Sequence, residues 1–311
     1  MVTDPFFSVV IPTHNRSALL AQAIQSVLSQ TFTDFELIVV DDHSTDETQK
    51  QLAHYDDPRL TYFLNDHSRG GAGARNAGIA RAQGQWIAFL DDDDVWLPQK
   101  LAQQYQKIMS VSAEVGLIYT GYATYDFQRN QILAEVYPEK EGWILQDLLY
   151  KNWITGFCGV AVRTDLLKKV GGLDEQLPAL QDIDLYVRVA EHAAIAYVNA
   201  ILVYLRKGHT DRISTNWDAK VAGFELFIDK FAALLAQNPA ARQQMNSRLF
   251  VYALLARRFN KLSRFGRAQL FKMALDYRNY AWFMRELGAY WLNYWRLHYG
   301  QWRARNAPMG G

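Results

Sequence analysis

Three short apolar runs, each ending abruptly at a polar or acidic cluster, constrain this chain more than any other feature. Phe7-Ser8-Val9-Val10-Ile11 gives way to Pro12-Thr13-His14-Asn15-Arg16. Phe35-Glu36-Leu37-Ile38-Val39-Val40 runs into Asp41-Asp42, and Trp86-Ile87-Ala88-Phe89-Leu90 into Asp91-Asp92-Asp93-Asp94. Near-continuous apolar runs of this length read as strands buried on both faces. Polar groups just beyond the ends of such strands lie where open α/β sheets hold their ligand. Four adjacent carboxylates repel one another and ask for a counter-charge, most simply a divalent cation with a phosphate behind it. The pattern points to an enzyme acting on a nucleotide-linked substrate.

Between these runs the periodicity turns helical. Leu20, Ile24, Val27 and Leu28 share one face of a helix expected over Ser17 to Gln30. Ser44 and Glu47 have capping-box spacing for a second helix. Leu60 to Phe63 reads as a strand, and Gly70 to Gly84 as a glycine-rich loop followed by a short helix. Pro98 suits the first turn of a helix carrying Leu101, Tyr105, Ile108 and Met109. This alternation predicts an α/β fold, a mostly parallel central sheet flanked by helices. From Gly116 to Arg163 the pattern loosens into short strands and turns. A helix over Asp182 to His192 and a strand over Ala194 to Leu205 follow, and from about Asp218 only helical periodicity remains. The natural break, near residues 210 to 220, separates a catalytic part, 1–215, from a helical C-terminal extension, 216–311.

The 311 residues, half of them apolar and 14% aromatic, describe a globular protein. A single cysteine, Cys158, excludes an internal disulfide and reads as a small buried hydrophobe. The N-terminus lacks the basic start of a secretory signal, and no segment approaches the ~18 apolar residues of a membrane span. The expectation is a soluble or surface-bound protein. The formal charge of +1 conceals an asymmetry: residues 241–311 hold 13 Lys and Arg against 2 Asp and Glu, leaving the rest acidic. Tyr290, Trp291, Tyr294, Trp295 and Trp302 recur with Arg285, Arg296, Arg303 and Arg305 in that tail. This mixture suits an interfacial helix on anionic lipid, with packing against the catalytic part as the alternative. No motif supports nucleic-acid binding.

In extended chain Asp91 and Asp93 would share a side and face a ligand together. The competing reading is a solvated turn in which Asp94 caps the Pro98 helix. A calcium loop fails at Val95 and Trp96. The segment Arg69-Gly70-Gly71-Ala72-Gly73-Ala74-Arg75-Asn76-Ala77-Gly78 only superficially matches a dinucleotide fingerprint, because Asn76 stands where a third glycine belongs. Its glycines would still allow backbone approach to a phosphate, and Arg75 would neutralise one.

Taken together, Ser8 to Arg16, Ala23 to Thr31, Val39-Val40-Asp41-Asp42-His43-Ser44-Thr45-Asp46, Ala74-Arg75-Asn76-Ala77-Gly78 and Phe89 to Trp96 resemble family 2 glycosyltransferases across residues 5 to 215. The resemblance implies a GT-A nucleotide-sugar-binding fold and inverting transfer of a sugar from a nucleotide donor, usually a UDP-sugar, with Mn²⁺ or Mg²⁺. It assigns Pro12, Thr13, His14, Arg16, Asp42, Arg75, Asp91 and Asp92 to the nucleotide-sugar, and Asp93, with Asp91 and His209, to the metal. It implies that Asp182, in Leu180-Gln181-Asp182-Ile183-Asp184, is the general base, with Gln181 replacing the usual glutamate. His43 replaces the commoner glycine after Asp42. The acceptor would be a glycan, a lipid-linked sugar or another hydroxyl compound, and the location cytoplasmic, peripheral at the inner face of the membrane. Two other classes fit the acidic clusters: a sugar-1-phosphate nucleotidyltransferase, and a non-catalytic nucleotide-sugar or glycan-binding protein. The first lacks a glycine- and arginine-rich phosphate loop after the first strand.

Overall fold

A computed structural model describes residues 4–66, 70–154, 156–207 and 216–256. The chain divides into two compact units, Met1–Arg212 and Ile213–Gly311. In the first, the strands are β1 (Phe7–Thr13), β2 (Phe35–Asp41), β3 (Leu60–Leu64), β4 (Trp86–Phe89), β5 (Val95–Trp96), β6 (Val115–Asp126), β7 (Gln131–Val136), β8 (Ala161–Arg163) and β9 (Ala194–Arg206). The helices are α1 (Ser17–Leu28), α2 (Thr48–Leu52), α3 (Gly70–Arg81), α4 (Lys100–Ser110), α5 (Leu145–Tyr150), α6 (Thr164–Lys169) and α7 (Gln181–Ala190). Among the described residues the sheet runs β3-β2-β1-β4-β8-β6-β9-β5, with β7 paired to β6. Strands β1 to β4 are mutually parallel, and so are β6 and β9; β8, β7 and β5 pair antiparallel. The mostly parallel α/β sheet expected from the sequence is therefore observed.

Both faces of the central strands are covered, which is why their sequences show no polar alternation. Val9, Ile11, Leu37, Val39, Ala88 and Leu90 join Leu20, Ile24 and Val27 of α1 and Leu101 of α4 in one core cluster. On the other face α3 lies so close that a Cβ at Gly78 would come within 2.4 Å of Val10 Cγ1 and 3.3 Å of Val40 Cγ2. The glycines thus belong to the helix itself rather than to a loop before it, correcting the sequence expectation. Gly78→Ala is expected to destabilise by about 1–3 kcal/mol through overpacking, despite alanine's better helix propensity. A lower urea midpoint at unchanged slope is the predicted result.

Three other expectations change. Helix α2 begins at Thr48, with Asp46 Oδ1 accepting from the Thr48 amide, so Ser44 and Glu47 form no capping box. Ser44 instead donates its amide to Asp41 Oδ1 and accepts the Asn15 amide on its hydroxyl. The region read as short strands contains the 12-residue β6, whose shifts of register against β9 disguise its length in sequence. Met109 on α4 is exposed, while Tyr105 packs edge-on against Phe6 at 4.7 Å.

The second unit contains α8 (Trp217–Lys230), α9 (Ala232–Ala236) and α10 (Pro239–Leu255). Asn216 caps α8 by accepting the Ala219 amide. Phe224 and Phe227 of α8 and Met245, Leu249 and Phe250 of α10 are buried. The aromatic, arginine-rich tail lies outside the described residues, as does His209.

Candidate active site

The order of the sheet reverses at β1: the chain goes outward through β2 and β3, then returns to the opposite side as β4. Ligands of open α/β sheets bind at such a switch point, beyond the carboxyl ends of the strands. The last β1–β4 pairing is Val10 with Phe89, after which the Leu90 amide donates to Val10 O and the strands part. Pro12 has the same strand parity as Val10, so it sits where no partner needs an amide donor.

Thr13 crosses the gap, donating its hydroxyl to Asp92 Oδ2 at 2.8 Å. Arg16 is delivered alongside by Asn15, which holds a left-handed φ of 53°. The Asn15 side-chain oxygen accepts the amides of Thr45 and Asp46, pinning this loop to the one after β2. Arg16 Nη1 then lies 3.0 Å from Asp92 Oδ1 and 3.2 Å from Asp93 Oδ2.

The aspartates are not in extended chain, contrary to the pairing of Asp91 with Asp93 expected from i, i+2 alternation. They form a turn closed by the Asp94 amide donating to Asp91 O at 3.1 Å. The turn sends each carboxylate to its own surroundings. Asp91 meets the Arg75 guanidinium, Asp92 meets Thr13 and Arg16, and Asp93 meets Arg16. Asp94 accepts the Arg206 amide at 2.9 Å and the Cys158 thiol at 3.0 Å. It caps no helix. Burial pushes the Asp92 carboxyl up to about 6, against the pull of Arg16 and Thr13. Burial, reinforced by the charges of Asp91 and Asp93, pushes Asp94 up to about 8.

Asp91, Asp94 and Cys158 present donor atoms within 4.8 Å of one another. Burial raises the thiol well above its ordinary value, so it resists becoming the thiolate a metal takes. Mn²⁺ and Mg²⁺ favour oxygen donors. That chemistry suits the carboxylates of the turn better than the thiol, and the Asp94–Cys158 hydrogen bond braces the turn from its buried side. Trp96 Nε1 donates to Cys158 O at 2.8 Å, and the fully buried Lys100 lies 3.7 Å above the Trp96 ring.

Asp42 stands level with this turn, its amide donating to Thr13 O at 2.9 Å. Its carboxylate accepts from Asn65 Nδ2 at 2.9 Å and from the Gly70 amide at 3.0 Å, the latter opening α3. The carboxylate thus anchors a helix N-terminus. His14 Nδ1 lies 2.8 Å from Asp42 O, and His43 adopts a left-handed φ of 67°. Arg75, carried by α3, is buried with its guanidinium 4.4 Å from the Phe157 ring.

Asp182 lies in the first turn of α7, after Leu180 at a φ of 68° that an L side chain rarely adopts. Its Oδ2 accepts from Asn152 Nδ2 at 3.1 Å. Desolvation raises its pKa, while amide hydrogen bonds and the charge of Arg75 pull the other way and Asp91 adds to the rise. Those influences place Asp182 in the same electrostatic neighbourhood as the Arg75–Asp91 pair. Asp184 turns inward instead and pairs with Arg188 at 2.6 Å. Sequence reasoning passed over Asn152, Asn65 and Arg206, and read Cys158 only as a small buried hydrophobe. Only Arg206, a charge closing an apolar strand, carried a readable signal.

The model of the family described as glycosyl transferase family 2 matches residues 8–171. Among curated relatives, the UDP-Glc:alpha-D-GlcNAc-diphosphoundecaprenol beta-1,3-glucosyltransferase WfgD of Escherichia coli is 34% identical over 167 residues, 53% of this chain and 61% of that protein. The putative colanic acid biosynthesis glycosyl transferase WcaA of Escherichia coli K12 is 31% identical over 74% of this chain and 82% of its own. Among solved structures, Staphylococcus aureus TarS 1-349 with UDP-GlcNAc superposes at a TM-score of 0.61 and 18% identity, covering 86% of this chain and 79% of that one. Mannosyltransferase PcManGT from Pyrobaculum calidifontis, with GDP-Man and Mn²⁺, gives 0.59 at 18%, covering 91% and 84%. At that identity the likeness speaks to the fold, which is GT-A.

Proposed function

The chain belongs to glycosyl transferase family 2, and from that premise we propose that it moves a sugar from a UDP-sugar to an acceptor hydroxyl with inversion at the anomeric carbon. The observation that carries this reading is Asp182, a carboxyl with a raised pKa held by Asn152 beside the Arg75–Asp91 pair. A carboxylate so placed is suited to take the proton of an attacking hydroxyl. Thr13, His14 and Asp42 bound the donor side of the cleft, with Pro12 setting where β1 leaves its neighbour. Arg16, Arg75 and Asp92 supply the charge pattern around a diphosphate. Asp93 and Asp91 would hold Mn²⁺ or Mg²⁺, whose charge would stabilise the departing nucleotide. His209 is proposed to approach the same group.

The WfgD relative, named for a diphosphoundecaprenol-linked acceptor, supports a lipid-linked acceptor here too. Among the described residues no helix is long and apolar enough to cross a membrane. The basic, aromatic 216–311 extension would bring the 1–215 catalytic part to anionic lipid at the cytoplasmic face. A panel of nucleotide-sugars incubated with the protein and Mn²⁺ tests the proposal. Release of UDP from a UDP-sugar is the expected outcome. Pyrophosphate release from a nucleoside triphosphate would instead favour nucleotidyl transfer, and donor binding without turnover a binding protein.

A further inference from the structure

Arg16 meets Asp93, the carboxylate proposed above to hold the divalent cation, through one of its guanidinium nitrogens. The same Nη1 reaches Asp92 at 3.0 Å and Asp93 at 3.2 Å, so one positive charge bridges two neighbouring carboxylates. Asp92 is further fixed by Thr13 and lies at the buried end of the bridge. Arg16 is still about a third exposed at its side chain. Its backbone is fixed as the N-cap of α1 by the Asn15 contacts, so only the side chain need move. A guanidinium favours phosphate as readily as carboxylate.

We propose that Arg16 is a built-in competitor of the metal: it neutralises Asp93 in the nucleotide-free protein and releases it when a nucleotide diphosphate draws the guanidinium away. This deepens, and rests on, the nucleotide-sugar reading. A cation approaching Asp93 beside Arg16 meets a like charge a few ångströms away and is repelled by it. Metal alone therefore binds weakly. A diphosphate removes the obstacle as well as adding its own oxygens, so metal and nucleotide favour one another reciprocally.

The test titrates Mn²⁺ into the full-length protein with free metal followed by electron paramagnetic resonance, with and without UDP. Arg16→Gln is expected to tighten binding of Mn²⁺ alone roughly tenfold and to shrink the enhancement that UDP produces, a coupling on the usual allosteric scale. Arg16→Lys, which keeps the charge, is expected to stay within roughly twofold of the unaltered protein. Unchanged or weaker Mn²⁺ binding in Arg16→Gln overturns the proposal, as does equal tightening in Arg16→Lys. These are binding readouts. Failure of the unaltered protein to turn over any nucleotide-sugar would count against the proposed function and would be seen separately.

Discussion

Asp182→Asn is expected to lower turnover by about 100-fold or more while leaving UDP-sugar affinity within a few-fold of the unaltered protein. The amide keeps the size of the carboxyl and retains an oxygen for Asn152 Nδ2, which now bonds Asp182 Oδ2. What it lacks is the capacity to take a proton. Single-turnover kinetics beside donor calorimetry would separate the two effects, and undiminished turnover would refute the assignment. The pH profile adds a second check. Desolvation raises the Asp182 pKa, so the base becomes protonated at a higher pH than an ordinary carboxylate. Activity should therefore begin to fall on acidification at a higher pH than an ordinary carboxylate base would give. Weakening the Arg75 counter-charge by Arg75→Gln should move that limb higher still, because Arg75 lowers the Asp182 pKa.

Asp93→Ala is expected to remove metal-dependent donor binding, a loss of at least about 100-fold where even outer partners of metal sites cost 10- to 100-fold. Calorimetry of UDP with and without Mn²⁺ reads it directly. The substitution also frees Arg16 from one of its two carboxylates. Metal-independent UDP binding should consequently hold or rise slightly while the metal-dependent part vanishes. Equal enhancement by Mn²⁺ in both proteins would show that Asp93 is not a ligand.

Much of this fold was written in the sequence because its central strands are buried on both faces. Continuous runs such as Leu37-Ile38-Val39-Val40 need no tertiary knowledge to be recognised, and the polar residues that follow mark the edge where the strands stop. The sequence does not say in which direction those polar residues point. Alternation predicted that Asp91 and Asp93 would face together, but the backbone turns, and the turn hydrogen bond between Asp94 and Asp91 decides the directions instead. Glycines misled for a related reason. A helix interior is an unfavourable place for them, yet Gly78 is fixed by a close approach to Val10 that only the folded sheet creates. Partners distant in the chain, such as Asn152 with Asp182 or Cys158 with Asp94, leave no local pattern to read.

The aspartate turn has one further consequence, for how this loop can vary. Its four acidic side chains reach three separate places: Asp91 the Arg75 of α3, Asp92 and Asp93 the end of β1 and the loop after it, and Asp94 both β9 and Cys158, three residues before β8. Shortening or lengthening the loop by a single position would misdirect all four at once, whereas a change of one side chain disturbs only that side chain's own partners. Spacing, more than acidity, is what the loop has to preserve.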